Sequence, residues 1–226
     1  MKKAAIFDID GVLTKGFAIR HFWNHLARKD IIDARLFLRS HKIFDKFSKG
    51  EISYMEMGKT VMENVSLAFR GADQKAVEKE SKKFFLQNKI DLFDYTMPLI
   101  GLLKKERLKI IAISGSTIEF LENYKKLLGF DTIYGTELEI ADGRYTGSIK
   151  TRLGIGESKK KTIQNLSGID KFIGFGDTEQ DIPILESVKI PVALNPNKDL
   201  EKAATKNGWI ILRETDDVVE EVRRLL

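Results

Sequence analysis

The sequence predicts an α/β protein: a three-layer α/β/α core on a mostly parallel sheet, with an inserted all-helical cap. Three observations lead there. The apolar run Ala4-Ala5-Ile6-Phe7 ends abruptly in Asp8, Asp10 and Gly11, and an unbroken apolar run suits a strand covered on both faces. From about residue 93 onward, strand-like and helix-like segments alternate, the pattern of right-handed crossovers in a parallel sheet. Between residues 17 and 92 the periodicity is helical throughout, a block too long for a crossover. The expected division is therefore a core of residues 1–14 and 93–226 and a helical cap of 15–92.

Each element has a local reason. After the first strand, the segment from Phe17 to Asp30 puts Phe22, Trp23 and Leu26 on one side of a helix, and Phe22 and Trp23 read as cap core. Gly50-Glu51-Ile52 marks a break. Ser53 reads as an N-cap with Glu56 three residues on, and Ile52 and Met57 occupy the two places of a hydrophobic staple. Gly71 ends that helix, and another begins near Asp73. A helix from Met97 to Glu106 leads into a strand from Lys109 to Ile113. The next helix, Ile118 to Leu128, stops at Gly129 as a C′ residue. Asp142-Gly143 between alternating segments is a hairpin turn. A helix from Lys159 to Leu166 precedes a strand from Phe172 to Phe175. Strands at Ile190 to Leu194 and Trp209 to Leu212 then alternate with helices near Asp181 to Glu186, Asp199 to Lys206 and Asp216 to Leu225.

Composition narrows the function classes. With no cysteine among 226 residues, disulfides, thiol catalysis and cysteine zinc sites are excluded. No segment has the apolar length that spans a bilayer. The run after Lys2-Lys3 is cut by Asp8 before a signal peptide's apolar region can form, so a cytoplasmic location is expected. The net charge of +5 is concentrated in the cap, where Lys15, Arg20, Arg28, Lys29, Arg35, Arg39, Lys42, Lys46 and Lys49 face only Asp30, Asp33 and Asp45. Nucleic acid is one reading and a solvated face that concentrates small phosphate anions is at least as good a one; no nucleic-acid motif accompanies the charge, so no nucleic acid is expected. His21, His25 and His41 fall in the cap and read as surface or packing residues.

Ligands of parallel sheets gather at the carboxyl ends of the strands, and four strand-end features carry complementary chemistry. Asp8 and Asp10 end the first strand. A calcium loop is excluded there, because a strand precedes it and Gly11 stands fourth, not sixth. The strand from Lys109 ends in Ser114-Gly115-Ser116-Thr117, where Ser116 and Glu119 have capping-box spacing; helix-start amides and the Ser114 hydroxyl make a phosphate seat. The strand ending at Phe175 runs into Gly176-Asp177 and then Asp181. Converging carboxylates repel unless a cation neutralises them, and an all-oxygen set favours a hard ion such as Mg²⁺. Lys159, Lys160 and Lys161 open the preceding helix, and an ammonium there would bridge a phosphate oxygen and a carboxylate.

In order, Asp8-x-Asp10-Gly-Val-Leu-Thr, Ser114-Gly-Ser, a lysine near 159 and Gly176-Asp177-x-x-x-Asp181 resemble the haloacid dehalogenase superfamily. The resemblance is nearest to its phosphoserine phosphatase-like branch, in which a helical cap is inserted into a Rossmann-like core. It implies that Asp8 is a nucleophile forming an aspartyl-phosphate, and that Asp10 is the general acid and base. By the same resemblance Mg²⁺ is held by Asp8, Asp177 and the main-chain carbonyl of Asp10, with Asp181 orienting a water or ligand. Ser114, Gly115 and Lys159, chosen among three lysines for its place at the helix start, would hold the phosphate. Dehalogenases of this superfamily need neither the second aspartate nor the metal acids, so a phosphatase acting on a small phosphorylated metabolite is expected. A phosphotransferase using an alcohol acceptor, and a non-catalytic phosphate-binding module, are the alternatives. Phosphoserine phosphatases carry an ammonium-binding glutamate seven positions after the second aspartate; here that position is Phe17, which departs from a phosphoserine site.

Overall fold

A computed structural model of the protein describes residues 2–88 and 90–226. Met1 of the expected core and Lys89 of the expected cap lie outside the described residues. The sheet has seven strands in the order β4-β3-β2-β1-β5-β6-β7. These are β1 (Lys2–Phe7), β2 (Lys109–Thr117), β3 (Thr132–Ala141), β4 (Arg144–Thr151), β5 (Ile169–Gly176), β6 (Ile190–Leu194) and β7 (Ile210–Leu212). All neighbours are parallel except the β3–β4 hairpin. Its turn residues Asp142 and Gly143 both have positive φ, 49° and 76°, as a two-residue hairpin demands.

β1 is apolar on both faces because both are covered. Ala5 and Phe7 join one core cluster with residues of α5 (Thr96–Lys105), α6 (Ile118–Leu128) and α10 (Val218–Leu225). Ala4 and Ile6 join another with Ile163 of α7 (Gly156–Gln164) and Ile184 of α8 (Ile182–Ser187). α9 (Lys198–Asn207) packs Leu200 and Ala204 against Ala193 of β6. The Phe7 and Phe175 rings stack at 4.4 Å across β1 and β5. A pair of that kind adds about 0.5–1.5 kcal/mol beyond burial, so the strands that carry the acids are locked in register.

The chain runs outward from β1 through β2 to the β3–β4 edge and then returns to β5 on the other side of β1. The β1–β5 boundary is thus the topological switch point, where strand ends leave an open crevice. Four helices intervene between β1 and α5: α1 (Ala18–Arg28), α2 (Ala34–Ser48), α3 (Tyr54–Ala68) and α4 (Gln74–Gln87). Asp33, Ser53 and Asp73 cap the last three with side-chain oxygens, and Ser53 with Glu56 completes the expected capping box.

The outgoing and returning chains cross side by side, with the Lys15 amide donating to Asp91 and the Phe93 amide to Leu13. A second attachment comes from the hairpin. Gly71 donates to Tyr145, Tyr145 to Ala72 and Gln74 to Gly143 through main-chain bonds, so the α3–α4 turn extends the edge of β4.

Three local expectations shift. β2 continues to Thr117, and Thr117, not Ser116, is the N-cap residue of α6. α7 starts at Gly156, which moves Lys159 to the end of its first turn. Trp209 precedes β7. Among the described residues no helix is long and apolar enough to cross a membrane.

Candidate active site

Asp8 continues the β1–β5 pairing one residue past the strand, its amide donating to Phe175 O at 3.1 Å. Beyond Ile9 the chain turns at once: the amides of Val12, Leu13 and Thr14 all donate to Ile9 O, and Gly11 N donates to Thr14 O. Gly11 sits at φ +83°, and a Cβ there would collide with the Asp177 carboxylate. Only glycine meets both conditions. From behind, the Tyr95 hydroxyl donates to Val12 O at 2.6 Å, Thr96 to Leu13 O at 2.7 Å, and the Asn195 amide to Gly11 O and Tyr95.

At the end of β2 the register with β3 slips: Ile113 faces Tyr134 and Thr117 faces Thr136. Ser114, Gly115 and Ser116 therefore bulge out opposite the single Gly135, a device that re-aims backbone into a site. The expected capping box at Ser116 and Glu119 does not form. Ser116 instead donates to Asp10 Oδ2 at 3.0 Å, and Glu119 accepts from the Tyr145 hydroxyl. Ser114 lies buried with its oxygen accepting from Ser116 N.

Lys159, also buried, projects from α7 between two acids: Nζ lies 2.8 Å from Asp8 Oδ1 and 2.6 Å from Asp181 Oδ1. Lys160 and Lys161 stay at the surface, which distinguishes the three lysines. The other Asp181 oxygen accepts from the amides of Asp177 and Thr178 and from the Thr178 hydroxyl. Asp181 thus ties the Asp177 turn to the lysine.

Asp8, Asp177 and Asp181 each offer an oxygen within 4.8 Å of the others. The Asp10 side chain lies outside that group, held by Ser116 and by Thr14 at 3.3 Å; only its main-chain carbonyl is left for the metal role expected of it. Four carboxylates share this crevice with one ammonium, which touches only Asp8 and Asp181, and the excess charge is costly as burial strips away water. Burial pushes Asp8 up to about 7 against the opposing pull of Lys159. Burial also lifts Asp10 to about 6, with the Ser116 hydrogen bond holding it back, and Asp177 rises well above the carboxylate range through burial and then the charge of Asp181. For Lys159, burial alone would lower its pKa, but Asp181 and Asp8 together outweigh it and the ammonium stays charged. A surplus of buried oxygen donors with this hardness fits a divalent ion such as Mg²⁺.

The crevice opens into a cavity of about 70 Å³ bounded by Asp8, Asp10, Ser114, Gly115 and Lys159 below and by cap residues above. Phe17, Trp23, Phe44, Tyr54, Met57 and Met62 form the upper wall. Phe22 is the cap-core residue expected, stacked on Phe120 at 5.2 Å. Trp23 is not core alone: it lines the cavity, and its buried Nε1 has no partner among the described residues. Besides the wall residues Phe44, Tyr54 and Met62, sequence reasoning missed the bracing residues Tyr95, Thr96 and Asn195. Of these only Asn195, at the end of a strand before proline, had a local signal; it adopts φ +53°.

A family model described as haloacid dehalogenase-like hydrolase matches residues 5–186. A histidinol-phosphatase of Neisseria meningitidis is 27% identical over 94% of this chain and 99% of its own length. A phosphoserine phosphatase of Archaeoglobus fulgidus is 26% identical over 90% of this chain, which spans 55% of that protein. Among solved structures, a substrate-bound phosphoserine phosphatase complex superposes with a TM-score of 0.67 at 21% identity, covering 99% of this chain and 98% of that one.

Proposed function

Because this chain belongs to the haloacid dehalogenase-like hydrolase family, we propose that it is a Mg²⁺-dependent phosphatase of small phosphomonoesters that works through an aspartyl-phosphate on Asp8. One observation carries this reading: Lys159 bridges Asp8 and Asp181 inside a crevice where three carboxylate oxygens converge. Relatives named histidinol-phosphatase and phosphoserine phosphatase support the ester class.

In the proposed first step an Asp8 oxygen attacks phosphorus, the ester P–O bond breaks, and its electron pair leaves on the alcohol oxygen. Asp10, lifted to about 6, donates the proton that completes the alcohol. In the second step a water attacks the same phosphorus while Asp10 takes its proton, the aspartyl P–O bond breaks, and inorganic phosphate departs with Asp8 restored. Lys159, Ser114 and the amides about Gly115 hold the phosphoryl oxygens, and positioning and charge neutralisation supply most of the acceleration in such transfers. Asp8, Asp177 and the Asp10 carbonyl would hold the divalent ion, which would supply positive charge near the phosphoryl group and so lessen its repulsion from Asp8. Asp181 is a positioning residue, acting through Lys159 and the Asp177 turn.

The test is phosphate release from a panel of phosphorylated metabolites, with Mg²⁺ and with chelator, beside Asp8→Asn. The amide lacks an attacking oxyanion, so turnover should fall by at least about 10⁴-fold with an unchanged circular dichroism spectrum. Wild-type activity in that variant would refute the mechanism. Phosphate release that depends on an added alcohol would favour the phosphotransferase instead.

A further inference from the structure

Resting on the phosphatase reading, the upper wall of the cavity specifies the alcohol that leaves. The charged groups lining the cavity are Asp8, Asp10 and Lys159, all at the phosphate end and all engaged with one another or with Ser116. The cap contributes Phe17, Trp23, Phe44, Tyr54, Met57 and Met62, none of them charged. An ammonium on the leaving group would be stripped of water against these side chains without a cap carboxylate to receive it, and an uncompensated buried charge is strongly disfavoured.

The wall is not uniformly apolar. Trp23 is 3% exposed, and its Nε1 is a buried donor without an acceptor. Buried indole N–H groups nearly always find a partner, and this one belongs to a residue that borders the substrate space. Tyr54 is the wall's other donor. Of the two, Trp23 Nε1 is the one buried without a partner among the described residues. We propose that the cap selects phosphomonoesters of uncharged alcohols bearing a hydrogen-bond acceptor, a hydroxyl or carbonyl oxygen seated on Trp23 Nε1, and that it rejects esters of amino alcohols.

Three nearly isosteric esters test this with Mg²⁺ present: 2-hydroxyethyl, n-propyl and 2-aminoethyl phosphate. The hydroxyethyl ester should exceed the aminoethyl ester in kcat/KM by at least about 100-fold; parity, or preference for the amine, would overturn the proposal. Trp23→Phe should lower the hydroxyethyl-to-propyl ratio by about 10-fold, and an unchanged ratio would remove Trp23 from recognition. Phe17→Glu should raise the aminoethyl ester relative to the other two by about 10-fold, and no relative gain would count against the wall as the selector.

If none of the three releases phosphate, the phosphatase reading is still judged by the metabolite panel, and binding decides the selectivity separately. The chain has two tryptophans, so Trp209→Phe leaves Trp23 as the sole indole reporter. Fluorescence titration of that variant should show 2-hydroxyethylphosphonate binding about 10-fold more tightly than 2-aminoethylphosphonate, whereas equal or reversed affinities would overturn the proposal.

Discussion

Two ionic clusters in this molecule are mirror images in their balance of charge. In the crevice, Asp8, Asp10, Asp177 and Asp181 share one Lys159 as their only charged base among the described residues, and burial drives the pKa values of Asp8 and Asp10 up to about 7 and about 6. In the cap, a single Glu80 receives Lys83 at 2.8 Å, His25 at 3.0 Å and Lys29 at 3.1 Å, and its pKa falls to about 2, chiefly through Lys83 and then His25. A carboxylate that basic groups outnumber is already satisfied and serves as a pin between α1 and α4. Carboxylates that outnumber their base are a site with a partner still to come. In these two clusters the pKa shifts run in opposite directions, although both consist of ordinary acids and lysines.

The largest effect expected within the crevice, after loss of Asp8 itself, is from Asp10→Asn. The variant keeps the nucleophile but cannot protonate the departing alkoxide or deprotonate water, so kcat should fall by about 10²–10⁴-fold. A loss smaller than 10-fold on alkyl esters would remove Asp10 from proton transfer. Next comes Asp177→Asn, which withdraws one oxygen charge from the converging set. Half-saturation by Mg²⁺ should move at least about 10-fold higher, and an unchanged requirement would take Asp177 out of the ligand set.

The contrast also fixes the direction of pH effects. A carboxyl whose folded pKa is raised binds its proton more tightly in the native state, so it contributes stability below its unfolded pKa that is lost as pH rises through the folded value. In chelator, the melting temperature should therefore decline between about pH 4 and pH 7, the interval spanned by Asp8 and Asp10. Added Mg²⁺ should abolish most of that decline by binding the native state. A chelated protein that gains stability across this interval would contradict the raised values.

The crevice was legible because backbone geometry carries its signal. Apolar runs that end at Asp8, Ser114 and Asp177 bring those residues to the carboxyl edge of a parallel sheet, whereas Lys159, expected at a helix start, lies at the end of the first turn of α7 and is told from Lys160 and Lys161 by its burial. The cap wall was less legible. Trp23 has the periodicity of Phe22, one position earlier on the same helix, and nothing local tells that Phe22 meets Phe120 while Trp23 meets the cavity. Ser116 misled for a related reason: its spacing to Glu119 fits a cap, but the bulge of β2 turns its hydroxyl to Asp10. Tyr95 and Thr96 brace the Gly11 turn from 83 residues away, a relation that only tertiary structure creates.

The smallest expected effect tests the structural half of the contrast. Because the folded pKa of Glu80 is depressed, its contribution is present above about pH 4.5 and disappears as pH falls towards 2. Lys29 and Lys83 are nearly half exposed, so solvent screening limits the contribution to about 1 kcal/mol. Glu80→Gln should accordingly lower the melting temperature by about 2–4 °C at pH 7 and by nearly nothing at pH 2. Since Glu80 does not border the cavity, kcat should stay within about 2-fold of wild type. A large loss of turnover at unchanged stability would mean that the α1–α4 pin takes part in the reaction cycle, and the division between a chemical cluster and a structural one would no longer hold.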